Sequence, residues 1–180
     1  MTAYAGFLRA LNVGGTGRLP MAELRALCGE IGFTRVRTYI ASGNVVFDSN
    51  SDEAGVKASL QTQLASRYGR PIGVVIRSGP DLETVIAANP FPAAPAERTL
   101  VTLLDGPPPA NVLGTARGHG REEIAVIGRN MFIHYVDGIA DSKLRLPGAV
   151  NGTARNLNTL RKLAQMVASE RSGREGSDGL

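Results

Sequence analysis

Residues 3–13 are apolar at nearly every position, and so are residues 72–77. A half-buried strand alternates apolar and polar side chains, so unbroken runs like these require a sheet covered on both faces. The segments between them are regular. Gly14, Gly15 and Gly17 break the chain, and residues 20–31 follow with helical spacing, Pro20 suiting a first turn and Gly32 a stop. Residues 34–40 alternate, with Val36, Thr38 and Ile40 on one side and Arg35, Arg37 and Tyr39 on the other. Residues 45–48 return after Ser42-Gly43-Asn44, which predicts an antiparallel hairpin. Ser51 and Asp52 begin a helix in which Val56, Leu60, Leu64 and Tyr68 recur at fours. The order β-α-β-β-α-β is the ferredoxin-like unit, complete near Ser78. Its two helices cover one sheet face, so the second half of the chain is expected to cover the other.

That second half is less regular. The pattern predicts a short helix over 80–88, a strand over 98–104, and a helix over 110–116 after Pro107, Pro108 and Pro109. A second hairpin is expected from 122–127 and 130–136 around Gly128, then helical turns over 140–146 and a last helix over 156–167. Strand, Gly/Pro loop, helix, hairpin and helix echo the first half. The expected fold is therefore α/β (α+β) with two packed ferredoxin-like halves, residues 1–78 and 79–168. The second is a partial copy with an extra C-terminal helix, and residues 169–180 form a disordered tail.

No run approaches the roughly 18 apolar residues of a membrane span, and the N-terminus lacks the basic-then-apolar pattern of a secretory signal. The lone cysteine, Cys28, precludes an internal disulfide and lies in register with Met21, Leu24 and Ile31 on one helix face. Together these features predict a cytoplasmic protein. The net charge of +4 comes without any run of like charges, so it permits contact with polyanions without specifying one.

Four polar features stand outside the packing pattern. The loop containing Asn12, Gly14 and Gly15 joins a strand to a helix, where Gly-rich loops hold phosphates, yet it matches neither the P-loop nor the dinucleotide fingerprint. It also reads as a plain connection needing positive φ. Arg9 lies inside an apolar run, and a buried guanidinium needs a carboxylate, carbonyls or an anion. Arg37, on the polar side of its strand, either bridges with Arg9 to acids such as Glu30 and Asp48 or faces a ligand with it. The Ser42-Gly43-Asn44 break is a hairpin turn or a polar site on strand tips. Arg155, Asn156, Asn158 and Thr159 open the predicted last helix, with Arg155, Thr159 and Lys162 spaced at i, i+4 and i+7, and serve either capping or anion binding. His119 and His134 are isolated, no paired acids stand out, and Ser42 has no neighbouring base. No catalytic residue, metal site or cofactor is assigned.

Three segments carry a resemblance. FLRALNVGG from Phe7, MAELRALCGEIGFTRVRTYIASGNVVF from Met21 and TARNLNTLRKL from Thr153 are similar to the bacterial "domain of unknown function 1697" family. The resemblance implies membership without implying a reaction. Its motif positions are Arg9, Asn12, Gly14, Gly15, Arg37, Ser42, Gly43, Asn44, Arg155, Asn156 and Thr159; Leu157 stands where the family has tryptophan. The expectation is one polar site built from both ends of the chain, binding a phosphate-bearing ligand (nucleotide or nucleic acid) without catalysis. The alternative is a structural or interaction protein whose polar cluster only locks the two halves.

Overall fold

The structure is a computed structural model that describes residues 1–9 and 19–175 of the 180. The chain divides into two compact units, one comprising Met1–Leu82 together with the chain from Lys162 on, the other Glu83–Arg161. The boundaries fall inside helices rather than at residue 78, and the end of the last helix belongs with the first unit.

The first unit runs β1 (Thr2–Leu8), α1 (Met21–Glu30), β2 (Thr34–Tyr39), β3 (Asn44–Ser49), α2 (Glu53–Tyr68), β4 (Val74–Ser78), and on into α3 (Gly79–Ala87). Its sheet is antiparallel in the order β2-β3-β1-β4, the ferredoxin-like arrangement. The helices form where the spacing predicts. Pro20 precedes α1, and Asp52 accepts a 2.8 Å bond from Gly55 N at the start of α2. Leu24, Leu27 and Cys28 from α1 and Val56, Leu60 and Leu64 from α2 pack with Tyr4, Leu8, Val45, Phe47, Val74 and Ile76, one face of the sheet. Phe33 stacks on Phe47 with ring centroids 4.3 Å apart. The other face is also buried, at Ala3, Ala5, Phe7, Val46 and Val75.

The alternation fails at two places. Arg35 has φ 51° and the β2–β3 register shifts beside it, so Arg35 leaves the simple alternation and pairs with the fully buried Asp48. Ile40, expected to face inward, lies beyond β2 with φ 49° and is 51% exposed.

The second unit contains β5 (Thr99–Leu103), β6 (Glu123–Ile127), β7 (Asn130–His134) and β8 (Thr153–Asn156), with α4 (Leu157–Glu175) starting from it. The strand order β6-β7-β5-β8 repeats that of the first sheet. Its crossovers differ from expectation. Residues 110–116 form only a short 3-10 turn, Val112–Thr115, because three prolines precede it and Gly114 interrupts it. Residues 140–146 form no helix; Arg145 instead makes an isolated bridge with Arg117. The last helix begins at Leu157, after a strand the sequence pattern does not signal, and continues to Glu175, past the Ser169 where the tail was expected.

The duplication reaches single hydrogen bonds. Leu8 N donates to Gly43 O at 2.8 Å, and Leu104 N donates to Arg129 O at 3.0 Å, the same position in each copy. Ala5 faces Val46 and Arg77, while Val101 faces Phe132 and Arg155. Arg77 and Arg155 therefore occupy equivalent places, each one residue before a helix cap. Ser78 and Asp81 exchange bonds at the start of α3, and Asn156 Oδ1 accepts from Thr159 N at 2.9 Å at the start of α4.

Candidate functional site

The antiparallel register assembles the polar residues of the first unit on one surface. Residues directly opposite across a strand pair project to the same face, so Arg37, Val46, Ala5 and Arg77 form one row across the sheet, on the face away from α1 and α2. Tyr39, Asn44, Phe7 and Val75 form the next. Arg9 follows at the sheet end, where Arg9 N donates to Gly73 O at 2.8 Å. A Cβ on Gly73 would lie 3.0 Å from Arg9 Nε, so the Arg9 side chain occupies the space that glycine leaves. Arg9, Arg37, Ser42 and Asn44 thus belong to one unit, with Arg9 and the Ser42-Gly43-Asn44 turn at the same end of the sheet.

Their partners differ from those expected. Arg9 is partly buried, whereas Arg77 is fully buried, 1% exposed, and its guanidinium donates to Ile76 O at 2.9 Å. Asp48 is held by Arg35, and Glu30 accepts from Gln63 Nε2. Arg37 reaches the C-terminal helix, donating to Met166 O at 2.7 Å and Ser169 Oγ at 3.3 Å. In the turn, Gly43 has φ 78°, and the buried Asn44 amide donates to Ser42 Oγ at 2.8 Å and Tyr39 O at 3.1 Å. Asn12, Gly14 and Gly15 lie outside the described residues.

Arg155, Asn156, Asn158 and Thr159 belong to the second unit. Arg155 lies on β8, not on the helix, so it does not line up with Thr159 and Lys162 on one helical face. Its guanidinium donates to Thr153 Oγ1 at 2.7 Å and Ala154 O at 2.8 Å, and burial pulls its pKa down to about 10. Asn156 caps α4 through Thr159 N, Thr159 is buried and Asn158 is exposed. Leu157 is fully buried.

Residues 1–132 match the model of a family described as "Protein of unknown function (DUF1697)". The chain belongs to that family. The DUF1697 match takes in the whole first sheet and ends inside β7. The conserved bacterial protein SP0830 from Streptococcus pneumoniae has a similar structure, with a TM-score of 0.76 at 27% identity over 92% of this chain and 98% of that one. No curated protein matches the chain. No helix among the described residues is long and apolar enough to cross a membrane, and none of their His, Cys, Asp and Glu side chains form a group able to hold a metal ion.

The sequence reading overlooked a cleft of about 280 Å³ in the second unit, lined by Gly118, Glu122, Tyr135, Asp141, Ser142 and Lys143 among others. Two arms separated by a hairpin build it, and no local pattern brings them together.

Proposed function

We propose that this DUF1697 member is a non-catalytic module that binds a phosphate-bearing ligand, a nucleotide or nucleic acid, at the sheet end marked by Arg9. The supporting observation is the contrast between the two copies of the fold. Arg9 and Asp105 each follow the leucine that bonds the adjacent hairpin, Leu8 and Leu104. A guanidinium at one such end suits an anion, whereas a carboxylate at the other repels it. The chain after Arg9 carries Asn12, Gly14 and Gly15, residue types whose backbone N–H groups approach phosphates closely. The setting is a bacterial cytoplasm, in keeping with the bacterial relative and the single buried Cys28.

A specific observation favours a second reading, in which the polar cluster is structural. The bonds of Asn44 and Arg37 to Tyr39 O, Ser42 Oγ, Met166 O and Ser169 Oγ are internal, and Asn44 is wholly buried. Retention on immobilised nucleotide and on single-stranded nucleic acid separates the two. The binding reading predicts retention that falls as salt rises and is lost with Arg9→Ala. Passage of the native protein through both matrices at low salt would leave the structural reading.

A further inference from the structure

The cleft of the second unit is a built site. Its arms, residues 117–122 and 135–145, are joined by reciprocal backbone bonds, Arg117 N to Arg145 O at 2.9 Å and Arg145 N to Arg117 O at 2.8 Å. Gly118, at φ 63°, lets the arms approach so closely that a Cβ there would lie 2.3 Å from Lys143 O. Glu122 ties them further, with Oε2 accepting from Gly120 N at 2.7 Å and Oε1 from the Ser142 hydroxyl. Ser142 Oγ is itself fixed by Leu144 N at 3.2 Å. The Ser142 hydroxyl and the N–H groups of Glu122 and Gly120 hold the Glu122 carboxyl below its ordinary pKa, and one of its roughly four acceptor positions remains for a ligand. The half-buried Tyr135 stands near it, its phenol raised above the ordinary value by burial and then by Glu122.

The remaining wall groups are uncommitted. Among the described residues the Tyr135 hydroxyl, the Asp141 carboxylate and the Lys143 ammonium have no hydrogen-bond or ion-pair partner, whereas Arg121 and Asp137 pair at 2.8 Å. Three acids (Glu122, Asp137, Asp141) against two bases (Arg121, Lys143) give the cleft a net charge of −1, in a chain of net +4. A simple anion such as phosphate would meet Glu122 and Asp141, and a simple cation would meet Lys143. At about 280 Å³ the cleft lies near the lower limit of ligand pockets, roughly 300–1,000 Å³, so its ligand is small.

We infer that this cleft binds a small zwitterion bearing a primary ammonium and a carboxylate, the class of free α-amino acids. The ammonium donates to Glu122 and Asp141, the carboxylate accepts from Lys143, and Tyr135 bonds between them. This site is separate from the one proposed at Arg9 and independent of it.

The test is a set of backbone-amide NMR titrations of the full chain with individual free α-amino acids, with butylamine and butyrate as single-charge controls. The expected result is a saturable shift confined to residues 118–122 and 135–145 for one or more amino acids, and none for either control. Glu122→Gln risks separating the arms, so the variants are Tyr135→Phe and Lys143→Met, with folding checked by an otherwise unchanged spectrum. Each should weaken binding about tenfold or more. The inference is overturned if no amino acid gives a saturable shift, if either control binds as well, or if both variants bind like the native chain.

Discussion

Asn44 and Arg9 carry opposite messages at the scale of single residues. Asn44 is fully buried and its amide is divided between Ser42 Oγ and Tyr39 O. Truncation strands these acceptors, so Asn44→Ala should cost about 1–3 kcal/mol in urea unfolding; a loss of only a few tenths would mean the turn forms without it. Arg155→Ala should likewise lower stability, since the guanidinium bonds Thr153 and Ala154 from a largely desolvated position. Cys28 is core, its thiol pushed up to about 12 by burial, so iodoacetamide should modify it at neutral pH only as fast as the fold opens. Its place on the α1 stripe was legible from spacing alone. Which arginine is buried was not. Arg9 and Arg77 both adjoin apolar runs, and only the sheet's length and register leave one at the rim and seal the other inside.

Among the elements, those with a period were legible and those set by distant partners were not. α1, α2 and both hairpins follow their patterns. β8 is four residues, Thr-Ala-Arg-Asn, with no apolar alternation, and it becomes a strand by pairing with β5. The Arg35 bulge was equally hidden, because it depends on Asp48 across the hairpin. The two capped helix starts make the duplication testable. Ser78→Ala and Asn156→Ala should each cost about 0.5–2 kcal/mol as lost caps, measured by thermal unfolding; a neutral result at either would break the equivalence. In the cleft, Gly118→Ala should separate the arms, seen as faster amide exchange at Arg117 and Arg145. The pH dependence follows from Glu122. Its folded pKa is lowered from 4.5, so its contribution is complete above that value and disappears as pH falls through the lower folded one. Arg117 and Arg145 amide protection should drop over that acidic window, and Glu122→Gln should remove the dependence.

Over the whole molecule, one fold appears twice and the copies have diverged in opposite ways. The first keeps two full helices as crossovers and places an arginine just past the end of β1; the second replaces them with short turns and carries an aspartate at the matching point. The repeat was visible in element order but not in residues, because the crossovers differ and only the strand register aligns the copies. That divergence carries the central claim, an anion site at Arg9 and none at Asp105. A ligand that binds only the folded state raises its stability, by about 2.7 kcal/mol at a hundredfold excess over Kd. The decisive measurement is the melting temperature of the native chain, Arg9→Ala and Asp105→Ala with and without nucleoside triphosphate or tripolyphosphate. The account predicts a rise in the native chain and in Asp105→Ala and none in Arg9→Ala. An equal rise in Arg9→Ala, or no rise in the native chain with either compound, would contradict it.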